Sequence, residues 1–168
     1  MLLRPNFTFG AVSEVTPQFL RGQGVRAVMV DLDDTLVAAG SSTLGPELTD
    51  WFGALKAAQL PVLILSNGSK GRVAQWSYDL GVAGLALVGK PLTFAFRRGL
   101  KRLCSQAGET AMIGDQLFTD VLGANLVGMT SVLVTPLSPG ALLHTKLLRR
   151  LEARLLKGGT HGRSVHRG

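Results

Sequence analysis

Four short polar stretches follow apolar runs along this 168-residue chain, and each contains residue types that could take part in catalysis. They are DLDDT at 31–35, SNG at 66–68, GKP at 89–91 and GDQLFTD at 114–120. Together they supply carboxylates, a hydroxyl, an amide and a lysine amine. Each stretch alone is also typical of an ordinary turn or helix start. The four in succession favour one shared site.

The carboxylates could bind a hard divalent cation. Asp31 and Asp115 offer oxygen ligands, and Mg²⁺ commonly takes one or two protein carboxylates together with water and substrate phosphate. A zinc site is disfavoured, because the chain has a single cysteine, Cys104, and its three histidines all lie beyond residue 140. Magnesium is therefore the metal that these residues favour.

The same residues could hydrolyse a phosphate ester. With the cation reducing the charge on the phosphate, Asp31 could act as nucleophile and form an aspartyl-phosphate. Asp33 could protonate the leaving oxygen and later activate water. Lys90 and the Ser66 hydroxyl could bind phosphate oxygens, with help from Asn67.

Alternating strands and helices are predicted around these stretches. Apolar, β-branched runs predict strands at 25–30, 60–65, 85–88, 110–113 and 130–135. Helical spacing of apolar residues predicts a helix that begins near residue 45 and further helices at 69–80, 92–104 and 117–126. This alternation indicates an α/β fold, a parallel sheet with helices on both faces. Ligands bind such sheets at the carboxyl ends of the strands, where the four polar stretches would meet.

The four stretches resemble the motifs of the haloacid dehalogenase (HAD) superfamily of phosphohydrolases. The pattern DxDx[TV] matches 31–35, an apolar strand ending in Ser or Thr matches LILS up to Ser66, a lysine matches Lys90, and GDxxxxD matches 114–120. The resemblance covers about residues 25–135 and implies a three-layer Rossmann-like (HAD-like) sheet. It also implies that Ser66 and Lys90 bind the substrate phosphate.

The resemblance assigns roles to the aspartates as well. It implies that Asp31 is both nucleophile and metal ligand, and that Asp33 is the general acid/base and a metal ligand through its main-chain carbonyl. Asp115 would be the third ligand of Mg²⁺, and Asp120 would support the metal site from outside the ligand set. The pair Asp31 and Asp33 favours a phosphatase over a dehalogenase.

The spacing between the motifs predicts that there is no cap domain. Thr35 and Ser66 are 31 positions apart, and Asn67 and Lys90 are 23 apart. Larger superfamily members carry caps in these intervals. We therefore expect an open site, which suits a phosphate presented on a macromolecule or a membrane surface, or a site that an oligomer covers.

Flanking sequence resembles the small class IIIA phosphatases that include mitochondrial-type phosphatidylglycerophosphate phosphatases. The match rests on Leu3-Arg4-Pro5, Phe19-Leu20 and GDQLFTDVLGAN. It implies phosphatidylglycerophosphate as substrate and phosphatidylglycerol as product. Two alternatives stay open: the same chemistry on a soluble sugar phosphate, nucleotide or phosphoprotein, and a HAD-fold binding module that is not an enzyme.

Charge divides the chain into a nearly neutral body and a basic C-terminal segment. The net charge is +7, and residues 141–168 hold seven Lys and Arg against one acid. Leucines every four residues predict a basic amphipathic helix at 141–157, and we expect 158–168 to be disordered. The helix could pack on the sheet or lie on an anionic membrane surface. Nucleic acid is a disfavoured partner, because the segment has no aromatic residues.

The rest of the chain predicts an N-terminal segment, 1–24, that packs on a phosphatase core at 25–140. No apolar run is long enough to cross a bilayer, and residues 1–10 lack the apolar region of a secretory signal. We therefore expect a cytoplasmic protein, with peripheral binding to the cytoplasmic membrane face as an option. Its expected partner is a phosphorylated substrate, with an anionic phospholipid preferred.

Overall fold

Six parallel strands form one sheet in the computed structural model, which describes residues 2–138. The strands are β1 (Phe7–Phe9), β2 (Ala27–Val30), β3 (Val62–Leu65), β4 (Ala83–Leu85), β5 (Thr110–Gly114) and β6 (Thr130–Val134). Their order across the sheet is β1-β6-β5-β2-β3-β4, and each neighbouring pair is parallel. The predicted parallel sheet is confirmed.

Helices cover both faces of this sheet. Within residues 2–138 the α-helices are α1 (Pro17–Gly22), α2 (Pro46–Ala57), α3 (Lys70–Leu80), α4 (Thr93–Leu103) and α5 (Leu122–Val127). Val28 and Val30 belong to a buried cluster with side chains of α2 and α3. Met29, between them, belongs to a second cluster with side chains of α4 and α5. Successive residues of β2 thus face opposite helical layers, and the three-layer architecture is confirmed.

The N-terminal segment contributes a strand that the sequence patterns do not predict. Phe7 and Phe9 pair in register with Val132 and Val134 of β6, so β1 forms an edge of the sheet. The Trp51 indole on α2 donates a hydrogen bond of 2.8 Å to the Val15 carbonyl oxygen. A three-residue strand is too short for its alternation to be recognised from sequence.

Strand β4 begins and ends earlier than the predicted strand at 85–88. Gly84 lies in the middle of the observed strand, where any Cβ would overlap the Ser77 side chain of α3. After Leu85 the chain leaves the sheet, and Leu87 takes a left-handed backbone with φ of 49°. Val88 is buried, but in the following loop.

The described intervals between the motifs contain no cap domain. The interval from Thr35 to Ser66 holds α2 and β3, and the interval from Asn67 to Lys90 holds α3 and β4. None of the helices within residues 2–138 is long and apolar enough to cross a membrane. The predicted helix at 141–157 and tail at 158–168 lie outside the described residues.

Candidate active site

The carboxyl edge of the sheet brings all four predicted motifs together. Asp31 directly follows β2, Ser66 follows β3 and Asp115 follows β5. These are neighbouring strands, with β2 between β3 and β5. Lys90 enters from the loop after β4, and its side chain is 2 % exposed.

The Lys90 ammonium joins two aspartates at this edge. Its Nζ lies 2.7 Å from Asp31 Oδ1 and 2.7 Å from Asp120 Oδ1. Burial lowers the pKa of Lys90, but the charges of Asp120 and Asp31 outweigh burial and raise the pKa above its ordinary value. Lys90 therefore remains charged and fixes the Asp31 carboxylate in place.

Three buried carboxylates lie close enough to share a cation. Each of Asp31, Asp115 and Asp120 offers an oxygen within 4.8 Å of the others. Burial raises the pKa of Asp31 to about 6, against the lowering effect of the Lys90 charge. Burial, followed by the charges of Asp120 and Asp31, raises the pKa of Asp115 to about 8. Hard oxygen donors crowded in this way fit a divalent cation, which would reduce their mutual repulsion.

Asp120 reaches this cluster because of the glycine at the end of β5. It lies in a single π-helical turn, Leu117–Val121, and its Oδ2 accepts a hydrogen bond of 3.2 Å from the Gln116 main-chain N–H. A Cβ on Gly114 would overlap the Asp120 carboxyl group. The structure thus groups Asp120 with the candidate ligand side chains. The predicted ligand set instead has the main-chain carbonyl of Asp33 and leaves Asp120 outside.

Asp33 lies at the solvent side of the site and is held by an arginine. Arg72 Nε donates to Asp33 Oδ1 at 2.7 Å, and Arg72 Nη1 donates to the Ser41 carbonyl oxygen at 2.8 Å. Arg72 is not among the site residues that the sequence motifs predict. A signal was available, because Arg72 is in the first turn of α3, where a cation opposes the helix dipole. Such a residue is expected to have a partner beyond its own helix.

The side chains of Ser66 and Asp33 both lie beside Gly68. A Cβ at Gly68 would lie 3.1 Å from Ser66 Oγ and 3.2 Å from Asp33 Oδ2. The Gly68 main-chain N–H donates to Ser66 Oγ at 3.0 Å, which orients the hydroxyl group. The predicted hydroxyl and acid/base carboxyl group thus flank one small space.

The Asn67 side chain joins two loops. Its Nδ2 donates to the Lys90 carbonyl oxygen at 3.2 Å, and its Oδ1 accepts from the Lys90 N–H at 2.8 Å. The structure pairs the Asn67 amide with the main chain of Lys90, because the amide matches the donor and acceptor of one peptide-bonded residue. Asn67 therefore positions Lys90. The phosphate contact that the sequence predicts for Asn67 stays a prediction.

Thr35 connects the first and fourth motifs. Its Oγ1 donates to Asp115 Oδ1 at 3.2 Å, and the Thr35 side chain is buried. This hydrogen bond opposes the rise in the Asp115 pKa. It also links the loop after β2 to the end of β5 and so fixes the spacing of Asp31 and Asp115.

Known proteins match this chain across the region that carries the site. The family model described as HAD-hydrolase-like matches residues 87–136, which contain Lys90 and the GDQLFTD motif. Probable phosphatase YqeG of Bacillus subtilis (strain 168) is 34% identical over 145 residues. That match covers 86% of this chain and 84% of the relative.

Solved structures share the fold at lower identity. An uncharacterized protein from Listeria monocytogenes serotype 4b matches with a TM-score of 0.58 and 18% identity, over 70% of this chain and 85% of that one. The cobalt-bound deoxy-D-mannose-octulosonate 8-phosphate phosphatase of Haemophilus influenzae matches with a TM-score of 0.53 and 16% identity, over 80% and 89%. With the extensive YqeG match and four motifs at one sheet edge, the chain belongs to the HAD superfamily and is one of its phosphatases, and its residues 2–138 form no cap domain.

Proposed function

We propose that this phosphatase hydrolyses a phosphomonoester through an aspartyl-phosphate on Asp31. The observation that carries the proposal is the 2.7 Å contact between Asp31 and Lys90. It supports the proposal because the Asp31 carboxylate, the proposed nucleophile, lies beside a fixed positive charge at the open end of the sheet. Phosphate oxygens that displace the carboxylate from Lys90 would bring phosphorus next to Asp31.

The proposed reaction has two steps. In the first, an Asp31 oxygen bonds to phosphorus while the ester P–O bond breaks, and Asp33 gives its proton to the leaving oxygen. In the second, Asp33 takes a proton from water, whose oxygen bonds to phosphorus while the bond to Asp31 breaks. The products are an alcohol and inorganic phosphate.

The remaining residues bind and orient the phosphate. Ser66 and Lys90 hold its oxygens, while Asp120 and Asn67 position Lys90. Asp31, Asp115 and the main-chain carbonyl of Asp33 would hold Mg²⁺, with Asp120 supporting them. When bound, the cation would withdraw negative charge from the phosphate.

For the substrate, we propose phosphatidylglycerophosphate, which would give phosphatidylglycerol on the cytoplasmic membrane face. The capless site supports a phosphate carried on a large surface, since Asp33 keeps about a third of its side chain exposed. The basic composition of 141–168, with seven Lys and Arg against one acid, also favours an anionic substrate surface.

Phosphate release from phosphatidylglycerophosphate in mixed micelles with Mg²⁺ tests this proposal. A soluble sugar phosphate and a nucleotide monophosphate are run in parallel. We expect the lipid to be the preferred substrate and Asp31→Asn to lower kcat more than about a thousandfold. The matched control is Asp50→Asn, which changes an exposed aspartate on α2 and should leave kcat unchanged.

The outcomes separate the chemistry from the substrate. Faster turnover of a soluble ester than of the lipid would refute the lipid substrate and leave the nucleophile assignment standing. Full turnover by Asp31→Asn would refute the nucleophile assignment itself.

A further inference from the structure

An apolar rim formed by Leu87, Leu92 and Phe94 flanks Lys90. These side chains are 60 %, 58 % and 51 % exposed. A Cβ added at Gly89 would lie 3.5 Å from Leu92 Cδ1 and 3.8 Å from Phe94 Cζ, so both side chains reach the residue before Lys90. Large exposed apolar side chains that lie close together, as Leu92 and Phe94 do, indicate an interaction surface, and Leu87 belongs to the same loop between β4 and α4.

The backbone at Leu87 is strained at this rim. Its φ of 49° is in the left-handed region, which bulky residues rarely adopt. The Leu87 N–H donates to the Gly68 carbonyl oxygen at 3.2 Å, which fixes this conformation beside the loop of Ser66. Strain that persists next to an active site is commonly part of function. Here it holds an apolar side chain toward solvent.

Helix α4 continues the rim as a basic face. Its exposed positions follow Phe94 at spacings of three, four, seven and eight residues, which places them on one side of the helix. They are Arg97, Arg98, Lys101 and Arg102. Within residues 2–138 none of these four cations forms an ion pair. Like charges at these spacings destabilise a helix, so the face suits an anionic partner.

We propose that the apolar rim and the basic face of α4 dock this phosphatase on an anionic phospholipid surface. The rim would enter the boundary between head groups and acyl chains, and the four cations would meet lipid phosphates. Lys90 lies within two positions of Leu92, so docking would bring the site to head-group level. The purpose of this docking rests on the proposed lipid substrate. An RNA backbone could bind the four cations, but it would not account for the exposed apolar side chains of Leu87 and Leu92.

Co-sedimentation of the full chain with phosphatidylglycerol vesicles and with phosphatidylcholine vesicles tests the proposal. We expect Arg97→Gln/Arg98→Gln to weaken binding to phosphatidylglycerol vesicles about thirtyfold, since each cation near such a surface contributes a several-fold gain. We expect Leu87→Asn/Phe94→Ser to weaken it about tenfold. Asn is chosen because it tolerates the left-handed backbone.

Matched variants near the amino ends of the strands, at the far end of the sheet from the active site, control for charge and hydrophobicity. Arg26→Gln/Lys56→Gln removes the same charge near the beginning of β2 and the end of α2. Tyr78→Ser/Leu2→Asn removes exposed apolar area away from the rim. Both control pairs should bind vesicles within about twofold of the unmodified chain, because they leave the docking surface intact. Equal losses in the controls and the α4 variants would overturn the proposal.

Three further measurements decide the remaining cases. Turnover of a soluble ester by the α4 variants should stay unchanged, because these residues lie outside the catalytic machinery. If the α4 variants lose binding to an RNA oligonucleotide but bind vesicles as well as the unmodified chain does, the proposal is overturned in favour of a nucleic-acid surface. Vesicle binding by the catalytically inactive Asp31→Asn should persist, so failure of docking and failure of the proposed reaction are seen separately.

Discussion

The guanidinium of Arg72 approaches Asp33 from the side of α3. Arg72 Nε donates a hydrogen bond of 2.7 Å to Asp33 Oδ1, which holds this carboxyl oxygen toward the helix. A second hydrogen bond, from Arg72 Nη1 to the Ser41 carbonyl oxygen, fixes the guanidinium itself. Both side chains are partly exposed, at 24% and 34%. The second oxygen of Asp33, Oδ2, lies toward Gly68 and the Ser66 hydroxyl. In the proposed reaction Arg72 would therefore orient the acid/base.

Arg72→Gln should impair catalysis in a way that depends on the leaving group. We expect kcat to fall about ten- to a hundredfold for an alkyl phosphate, which needs a positioned acid to protonate its alkoxide. A nitrophenyl phosphate, whose leaving group needs no proton, should be affected much less. Steady-state kinetics with both esters check this, with Arg21→Gln on α1 as a control variant. An equal loss for the two esters would mean that Arg72 acts only on the fold.

The raised pKa values of Asp31 and Asp115 predict that binding of a divalent cation releases protons. At pH 7 the metal-free protein holds most of its Asp115 protonated, because the pKa is about 8, and little of its Asp31, whose pKa is about 6. Cation binding requires the ionised forms. Calorimetric titration of Mg²⁺ in buffers of different ionisation enthalpy should therefore show release of about one proton. Asp115→Asn should remove it, and absence of release from the unmodified protein would contradict the prediction.

The same pKa shifts set the sign of the pH dependence of stability. The ordinary pKa of 3.8 applies to the unfolded chain, whereas folded Asp115 ionises near pH 8. Between these values the folded state binds more protons than the unfolded state, so the free energy of unfolding of the metal-free protein falls as pH rises from about 4 to 8. Urea denaturation with a chelator present measures it. With saturating Mg²⁺, the free energy of unfolding should fall less steeply at the high-pH end of this range.

At the scale of elements, the end of β5 and the π-helical turn must fit closely. Gly114→Ala should displace Asp120, because the new Cβ would overlap its carboxyl group. We expect a loss of about 1–3 kcal/mol in the free energy of unfolding, typical of overpacking, and loss of most activity because Lys90 loses a partner. Urea unfolding and turnover check both effects. Gly108→Ala, where a Cβ meets nothing within 4 Å, should change neither.

The elements around the site were largely predictable because each has a local pattern. The buried runs of β2, β3, β5 and β6 lie within two residues of their predicted positions, and the predicted helix at 69–80 ends at Gly81, which has the left-handed backbone typical of a helix end. The motifs at strand ends were predictable for the same reason. The hydrogen bonds from Asn67 to Lys90 and from Arg72 to Asp33 were not predictable from sequence. They join positions 23 and 39 residues apart, and only the folded sheet decides that they meet.

At the scale of the whole molecule, the first residues complete the sheet that holds the site. Asn6 and Ser131 exchange hydrogen bonds, from the Ser131 N–H to Asn6 Oδ1 at 2.8 Å and from the Asn6 N–H to Ser131 Oγ at 3.1 Å. Val15 and Leu20 are fully buried in the core cluster that contains α2. Residues of the segment 1–24 therefore share one buried core with α2, and the division of the chain at residue 24 stays a prediction.

A chain that begins at residue 25 should not fold cooperatively. It would expose the β6 edge and the core face that Val15 and Leu20 cover, and would leave the Trp51 indole without its acceptor. A buried donor without a partner costs about 1–3 kcal/mol, and each buried Leu or Val adds about 1.5–3 kcal/mol, against a total stability of about 5–15 kcal/mol. Trp51→Phe is the graded variant and should lower the urea midpoint while folding remains cooperative. If the shortened chain unfolds cooperatively at the midpoint of the full chain, residues 1–24 are an accessory segment and the core begins at β2.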